Sequence, residues 1–442
     1  MPVSVPYGQL TRSNLTNTLV LLPYLKSETD IRTPLARLEE VTALTKAIDL
    51  NVIKSETVPL SDIRANAYIG KGKIESYAPF IKENEIEVVI MACRLSPLQQ
   101  RNLEKAWQTK VIDKTALILE IFGKRARTKE GVLQVELAHL TYARSRLVRS
   151  WTHLERQRGG SGFLGGPGET QIELDRRLID EDIVKIKKEL EDVKKTRHLH
   201  RTARKKVPFP IVALVGYTNA GKSTLFNKLT KADVFAKDML FATLDPTMRQ
   251  IKLPSGQTVI LSDTVGFISD LPTELIMAFR ATLEEVLDAD VIVHVRDYYH
   301  EDSRAQRIDV ENVLSDLGLK EEVDAGLIEA LNKIDLFDAD DRQMILEQKK
   351  RRPKECPVSA RDGWGFDKLL NCIEEALNKN AQRLTLKIPV TNGKALAQIY
   401  QKGQVLSRIE KENFIKLEVM LKKEERFYFE EFIVNTKRNG IK

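Results

Sequence analysis

The chain has 442 residues, 30 % of them charged and 42 % hydrophobic, enough for two to four domains that each bury a core. No stretch approaches the roughly 20 apolar residues of a membrane span, so stable membrane insertion is not expected. Lys plus Arg number 70 against 63 Asp plus Glu, a net charge of +7 that suits an anionic partner wherever the excess is clustered.

Cys93, Cys356 and Cys372 are far apart in sequence, show no metal-ligand spacing and offer no disulfide framework. They read as ordinary core cysteines in a reducing compartment. His198 and His200 have no Cys/His cluster beside them, so no zinc site is expected. The N-terminal MPVSVPYGQLTRSNLT lacks the regions of a signal peptide, and a cytoplasmic monomer is expected.

From Asn17 to about Phe122, apolar runs alternate with helical patterns: NTLVLLPYL, PLARLEEVTALTKAI, LNVIKSETV, KGKIESYAPFIKENE, IEVVIMA, SPLQQRNLEKAW and KVID. That rhythm predicts an N-terminal α/β domain with a largely parallel sheet, residues 1–123. Over 129–158, Val132, Val135, Leu140, Leu147, Trp151 and Leu154 recur at helical spacing. A second helix is expected from about Thr170 to Lys206, its seam made by Ile172, Ile179, Ile183, Ile186, Leu190 and Val193. Together they predict an antiparallel helical hairpin over 124–206.

Between the helices lies RGGSGFLGGPGE, Arg158 to Glu169, whose glycines and Pro167 are expected to continue neither helix. Helices of about 30 residues would carry this tip on the order of 45 Å. Arg156 and Arg158 suit phosphate contacts, and Phe163 suits stacking on an unpaired base. After RTARKKVPFP, the strand IVALVG opens a nucleotide domain over 207–380. The remaining residues, 381–442, read as a strand, a helix and two strands, a small α+β domain. The fold class is therefore α/β and multidomain.

The chemistry is concentrated in the nucleotide domain. Gly216, Tyr217, Thr218, Asn219, Ala220, Gly221, Lys222 and Ser223 follow a strand and open a helix, the context that a P-loop requires. Backbone N–H groups turn toward phosphates, Lys222 reaches the β/γ oxygens, and Ser223 ligates Mg²⁺. Asp263, Thr264, Val265 and Gly266 follow QTVILS, which sets Asp263 near the metal and the Gly266 N–H toward a γ-phosphate. Asn332, Lys333, Ile334 and Asp335 follow GLIEAL. There the Asp335 carboxylate takes N1–H and the 2-amino group of guanine, a donor pair that adenine lacks. Asn332 would tie this loop to the P-loop and the Lys333 stem would cover the base. In Ser359, Ala360 and Arg361, the Ala360 N–H would face O6.

Phe241, Ala242, Thr243, Leu244 and Asp245 lie where a mobile switch belongs. Thr243 is the candidate second protein ligand of Mg²⁺, with Thr247 as fallback. Phe267 stands where many small GTPases keep the glutamine that orients water. Asn219 is of the type that helps hold a monovalent cation, making K⁺ a candidate supplier of charge in catalysis. Lys222, Thr243, Gly266 and Asn219 are thus the candidate catalytic set.

These motifs, with AYIGKGKIES, GGPGETQIELDRR and VELAHLTYARSRL elsewhere in the chain, resemble the HflX family of ribosome-associated GTPases over nearly the full length. The resemblance implies contacts to GTP or GDP from each motif above, Mg²⁺ on Ser223 and Thr243, and a hydrophobic residue after DTVG. It further implies binding to the large ribosomal subunit and ribosomal RNA, ribosome-stimulated hydrolysis, and separation of stalled or stressed ribosomes. SGFLGGPGE departs from the family's usual tip by lacking an arginine, and HVRDYYHED departs from its usual run after the central strand. Two other readings differ in class: a GTP-dependent RNA-binding or assembly module with negligible turnover, and a GTPase whose basic run at Lys194 to Lys206 makes a weak peripheral contact with anionic lipid.

Overall fold

The structure, a computed structural model, describes residues 16–27, 31–157, 167–204, 209–231, 247–269, 285–379 and 381–434. They fall into two compact units whose boundary lies inside a long helix, between Glu189 and Leu190.

The first unit runs β1 (Asn17–Leu25), α1 (Pro34–Lys46), β2 (Asn51–Leu60), α2 (Lys71–Glu83), β3 (Val88–Met91), α3 (Pro97–Trp107), β4 (Lys110–Asp113) and α4 (Lys114–Arg125). The four strands form one parallel sheet in the order β2-β1-β3-β4. Central strands of such a sheet are covered on both faces, and β1 and β3 are accordingly continuous apolar runs. Thr33, Ser96 and Asp113 cap the helices that follow them, with Pro34 and Pro97 in the first turn where no N–H is required. Helix α4 has no counterpart among the sequence expectations. Leu117, Ile118, Leu119, Ile121 and Phe122 are all buried, so the segment carries little alternation of apolar and polar residues to read.

Helices α5 (Lys129–Gln157) and α6 (Pro167–Arg204) follow. Arg144 and Asp180, equally far from the connection, form an ion pair at 2.8 Å, as an antiparallel hairpin requires. Two expectations are corrected. Pro167 opens α6 rather than standing outside it, because the first helical residue needs no N–H and proline's φ is already helical. On α5, Val135 is buried as expected, but Val132 is exposed, and Leu133 and Ala138 are buried instead. The glycine-rich tip with Phe163, the basic residues Lys205 and Lys206, and the side chains of Trp151, Leu154, Arg156, Ile172, His198 and His200 lie outside the described residues.

Asp113 fastens the base of the hairpin. Its carboxylate caps α4 at Ala116 N (2.8 Å), accepts from Leu95 N (3.3 Å) and from Tyr142 Oη (2.9 Å), and pairs with Arg146 at 3.5 Å. Arg146 also donates to Leu95 O and to Gln100. Tyr142 and Arg146 belong to the TYARSRL stretch of α5, which therefore serves as a docking face.

The second unit contains β5 (Ile211–Gly216), α7 (Lys222–Thr230), β6 (Thr247–Lys252), β7 (Thr258–Asp263), β8 (Val291–Asp297), α8 (Ser303–Asp316), α9 (Lys320–Asp324), β9 (Ile328–Asn332), α10 (Ala339–Lys350), β10 (Glu355–Pro357) and α11 (Phe366–Leu377). The sheet order is β10-β9-β8-β5-β7-β6, parallel except for β6 at the edge. Val212, Leu214, Phe226, Val293, Ala330 and Leu369 pack its core. Ligands of such sheets sit beyond the carboxyl ends of the strands, and β5, β7 and β9 all end in a motif named above. A three-stranded antiparallel sheet follows, β11 (Ala381–Pro389), β12 (Gln404–Lys411) and β13 (Phe414–Lys422) in the order β11-β13-β12, with α12 (Gly393–Lys402) against it. A 3-10 segment, Lys423–Phe432, closes this part and was not anticipated.

Among the described residues the three cysteines are free thiols. Cys356 on β10 and Cys372 on α11, unrelated in sequence, lie with their sulfurs 3.3 Å apart. No helix among the described residues is long and apolar enough to cross a membrane.

The corrected face of α5 has a measurable consequence. Leu133→Ala should lower the unfolding free energy by about 2–4 kcal/mol by opening a cavity, whereas Val132→Ala should change it by less than about 0.5 kcal/mol. Urea denaturation of the two variants reads the difference, and equal losses would return Val132 to the buried face.

Candidate functional site

The P-loop is built where β5 hands over to α7. Gly221 has φ +90, and a Cβ there would lie 2.2 Å from Asn332 Nδ2. Glycine is therefore required twice over, by conformation and by the approach of the Asn332 amide. Through that gap Asn332 Nδ2 donates to Ala220 O at 2.8 Å, while its Oδ1 accepts from Ala360 N at 2.9 Å. One buried side chain thus joins the P-loop, the NKID loop and the SAR loop. The Ala360 N–H, expected to face guanine O6, is committed here to Asn332.

Lys222 is buried at the start of α7 and donates to Gly216 O (3.0 Å) and Tyr217 O (2.8 Å). Burial pushes its pKa down to about 8, against the opposing pull of Asp263. Ser223 Oγ donates to Asp263 Oδ2 at 2.7 Å, bringing the hydroxyl and carboxylate of two motifs together. Asn219 is exposed in the left-handed region, at φ 60.

The DTVG segment is zipped onto the P-loop beyond the regular β5–β7 pairing. Phe267 N donates to Gly216 O (3.1 Å), Thr218 N donates to Phe267 O (2.8 Å), and Ser269 N donates to Tyr217 Oη (2.7 Å). The Phe267 side chain is only 1 % exposed, so it is a core residue rather than a group facing the nucleotide. Gly266 lies so close to the P-loop that a Cβ would meet Thr218 Cγ2 at 2.9 Å and Lys222 Nζ at 3.1 Å. Thr264 and Val265 are buried beside it, with Thr264 Oγ1 donating to Leu214 O at 2.6 Å.

Around the NKID loop the structure adds residues that the motifs do not contain. Lys333, itself at φ 66, pairs with Asp297 at 2.7 Å, so the end of β8 fixes the stem expected to cover the base. Asp335 is half-buried in the short 3-10 turn Ile334–Leu336. Behind it, Arg342 of α10 donates to Ile334 O (3.2 Å), Asp335 O (3.2 Å) and Phe337 O (2.8 Å). Its guanidinium lies 4.6 Å from the centre of the Trp364 ring, and Trp364 O accepts from Ser359 N at 3.1 Å. Arg361 is tied through its carbonyl to Lys228 of α7 at 3.2 Å. The only sequence signal for Arg342 was a basic residue seven positions after Asp335, which is too common to single out. Residues 241–245, including Thr243, lie outside the described residues.

A P-loop at the end of β5, a DTVG loop latched to it, and an NKID loop joined to both through Asn332 define a guanine-nucleotide-binding P-loop GTPase. Comparison with known proteins narrows the class. Profiles described as GTP-binding GTPase N-terminal, GTP-binding GTPase Middle Region and 50S ribosome-binding GTPase match residues 36–123, 125–204 and 211–333. The GTPase HflX of Magnetococcus marinus is 48 % identical over 384 residues, covering 87 % of this chain and 88 % of that protein. The GTPase HflX of Escherichia coli is 44 % identical over 378 residues, covering 85 % and 86 %. This chain belongs to the HflX family of GTPases. Among solved structures, a GTP-binding protein from Sulfolobus solfataricus in complex with GDP aligns at 23 % identity with a TM-score of 0.42, covering 83 % of this chain and 99 % of that one.

Two expectations come from these contacts. Arg342→Ala removes a donor from the Ile334, Asp335 and Phe337 carbonyls and the cation from Trp364, so GDP binding should weaken about tenfold, with little change in the rate of hydrolysis at saturating GTP. Dissociation of a fluorescent GDP analogue measures it; unchanged dissociation would reduce Arg342 to a surface residue. For Lys222, phosphate oxygens favour the ammonium that burial disfavours, so the pKa rises on binding. GDP binding should therefore take up a proton above about pH 8, and affinity should fall as pH rises through that point. Calorimetry at about pH 8.5 in buffers of different ionisation enthalpy detects the uptake, which Lys222→Arg should abolish.

Proposed function

We propose that this GTPase works on ribosomes: in its GTP form it binds the large subunit, touches ribosomal RNA through the hairpin, hydrolyses GTP under ribosome stimulation, and separates stalled or stressed ribosomes. The observation that carries this reading is the burial of Phe267. The position after DTVG presents no side chain that can orient water, so fast hydrolysis calls for a contribution from outside the chain. The profile described as 50S ribosome-binding GTPase supports the ribosome as that partner, and the net charge of +7 suits RNA.

Within the site, we assign Lys222 to the β/γ-phosphate oxygens and the Gly266 N–H to the γ-phosphate. Asp335 takes the guanine donors, with Lys333 along the base. Ser223 Oγ beside the Asp263 carboxylate is a pair of hard oxygen donors that fits Mg²⁺, and Thr243 is the second protein ligand in this assignment. When bound, Mg²⁺ neutralises charge on the β- and γ-phosphates. The exposed Asn219 at the mouth of the P-loop supports a K⁺ site there. We divide the working parts as an N-terminal domain at 1–123, a hairpin at 124–206, the GTPase domain at 207–380 and a C-terminal domain at 381–442. The hairpin tip acts on RNA through Arg158, Phe163 and its glycines, in a cytoplasmic protein.

The test measures phosphate release by the full chain with and without ribosomes, in potassium and in sodium buffer, alongside gradient sedimentation of ribosomes with GTP. Ribosomes should raise turnover by at least about a hundredfold and sediment as separated subunits. Replacing Gly159 to Gly168 by a short neutral turn should abolish separation while leaving GTP binding intact. Turnover indifferent to ribosomes would overturn the reading.

A further inference from the structure

The nucleotide domain holds a pair of thiols that GTP chemistry does not use. Cys356 lies on the edge strand β10 and is fully buried, while Cys372, on α11, is half-buried. The Cys356 thiol points at Cys372 Sγ across 3.3 Å, and the Cys372 thiol points at Pro353 O across 2.8 Å. One helical turn before Cys372, Lys368 is held by Lys349 O (2.9 Å) and Glu355 O (2.7 Å), so a fixed cation stands on the same helix face. The chain between the two cysteines is the SAR loop itself, with Ser359, Ala360 and Trp364.

We infer that Cys356 and Cys372 form a dithiol site whose oxidant is a hydroperoxide and whose product is an internal disulfide that clips the guanine loop. Cys372 is the attacking sulfur. The hydrogen bond from Cys356, and then the charge of Lys368, lower its pKa below the ordinary thiol value, which favours the nucleophilic thiolate. Cys356 is the resolving sulfur, its thiol pushed up by the Cys372 contact and by burial.

The steps balance. The Cys372 thiolate attacks one peroxide oxygen, the O–O bond breaks, and the departing oxygen leaves as water or an alcohol after taking a proton. Cys372 is then a sulfenic acid. Cys356 attacks that sulfur, the S–O bond breaks, and hydroxide leaves as water with the Cys356 proton. The two thiols lose two electrons and the peroxide gains them. The sulfurs must close from 3.3 Å to about 2.0 Å, a movement within reach of side-chain rotation. The product ties β10 to α11 and closes the chain that carries Ala360, the partner of Asn332. Cys93, half-buried in the first unit with its thiol pushed up by desolvation, stays reduced.

The experiment treats the full chain with hydrogen peroxide and follows it by alkylation, intact mass and peptide mapping. Expected are a mass lower by two hydrogens, one alkylatable thiol remaining, a linked pair of peptides containing Cys356 and Cys372, and reversal by dithiothreitol. The melting temperature should rise with the closed loop. Cys356→Ser should leave a sulfenic acid at Cys372 that dimedone traps, and Cys372→Ser should leave Cys356 unreacted; GDP binding by each variant checks that it is folded. Should either variant fail to fold, the linked peptides of the unaltered chain decide alone. Three alkylatable thiols after peroxide, or a link between two chains, would overturn the inference.

Discussion

Asn332 sits at the end of β9 with its amide buried between two backbones, donating to Ala220 O and accepting from Ala360 N. Each hydrogen bond stabilises by only about 1 kcal/mol, but losing one leaves a buried polar group unmatched, which costs about 1–3 kcal/mol. That asymmetry makes the contact a constraint rather than a decoration. The P-loop, the base loop and the SAR loop come from three different strand ends, and this side chain fixes their spacing. Gly221 exists in its φ +90 conformation to let the amide through. Arg342 then ties the base loop to Trp364 from behind, and Lys333 with Asp297 ties it to β8.

A second constraint runs along the sheet. Parallel pairing between the β5 and β7 segments resumes past their ends, one residue out of register, as the isolated Tyr217–Phe267 bridge, so the phosphate loop and the DTVG loop stay joined beyond the sheet. Burying Phe267 anchors that junction and at the same time removes its side chain from any part in orienting water. The packing that holds the DTVG loop in place is thus also what withholds this side chain from the nucleotide. Lys222 belongs to the same junction, because the carbonyl of Gly216 accepts both from its amine and from Phe267 N.

The site was legible wherever spacing carries meaning. From Gly216 to Ser223, from Asp263 to Gly266, and from Asn332 to Asp335, each residue type is dictated by a local backbone form, and a local form leaves a local pattern. Arg342, Trp364 and Asp297 act through backbone carbonyls or through single pairs that the fold brings together from distant positions, so no spacing announces them. The same holds for Cys356 and Cys372, which look unrelated until α11 packs on β10. In the fold, β1 and β3 were readable because strands covered on both faces are unbroken apolar runs. Helix α4 was not, because it is covered nearly all round. On α5 the spacing gave the helix but set Val132 on the wrong side, since two neighbouring apolar residues, Val132 and Leu133, compete for one face.

The family stretch TYARSRL gains a mechanical meaning from Asp113. Through Tyr142 and Arg146, α5 is bonded to the carboxylate that also caps α4 and holds the turn before α3. The start of the hairpin is therefore fixed to the N-terminal sheet by charge-assisted bonds, which are roughly twice as strong as neutral ones. Its other helix, α6, runs on to Arg204, and Ile211 of β5 follows only seven residues later in the chain. Between the helices, the Arg144–Asp180 pair is partly exposed and correspondingly weak, while Ile183 and Ile186 of α6 are buried.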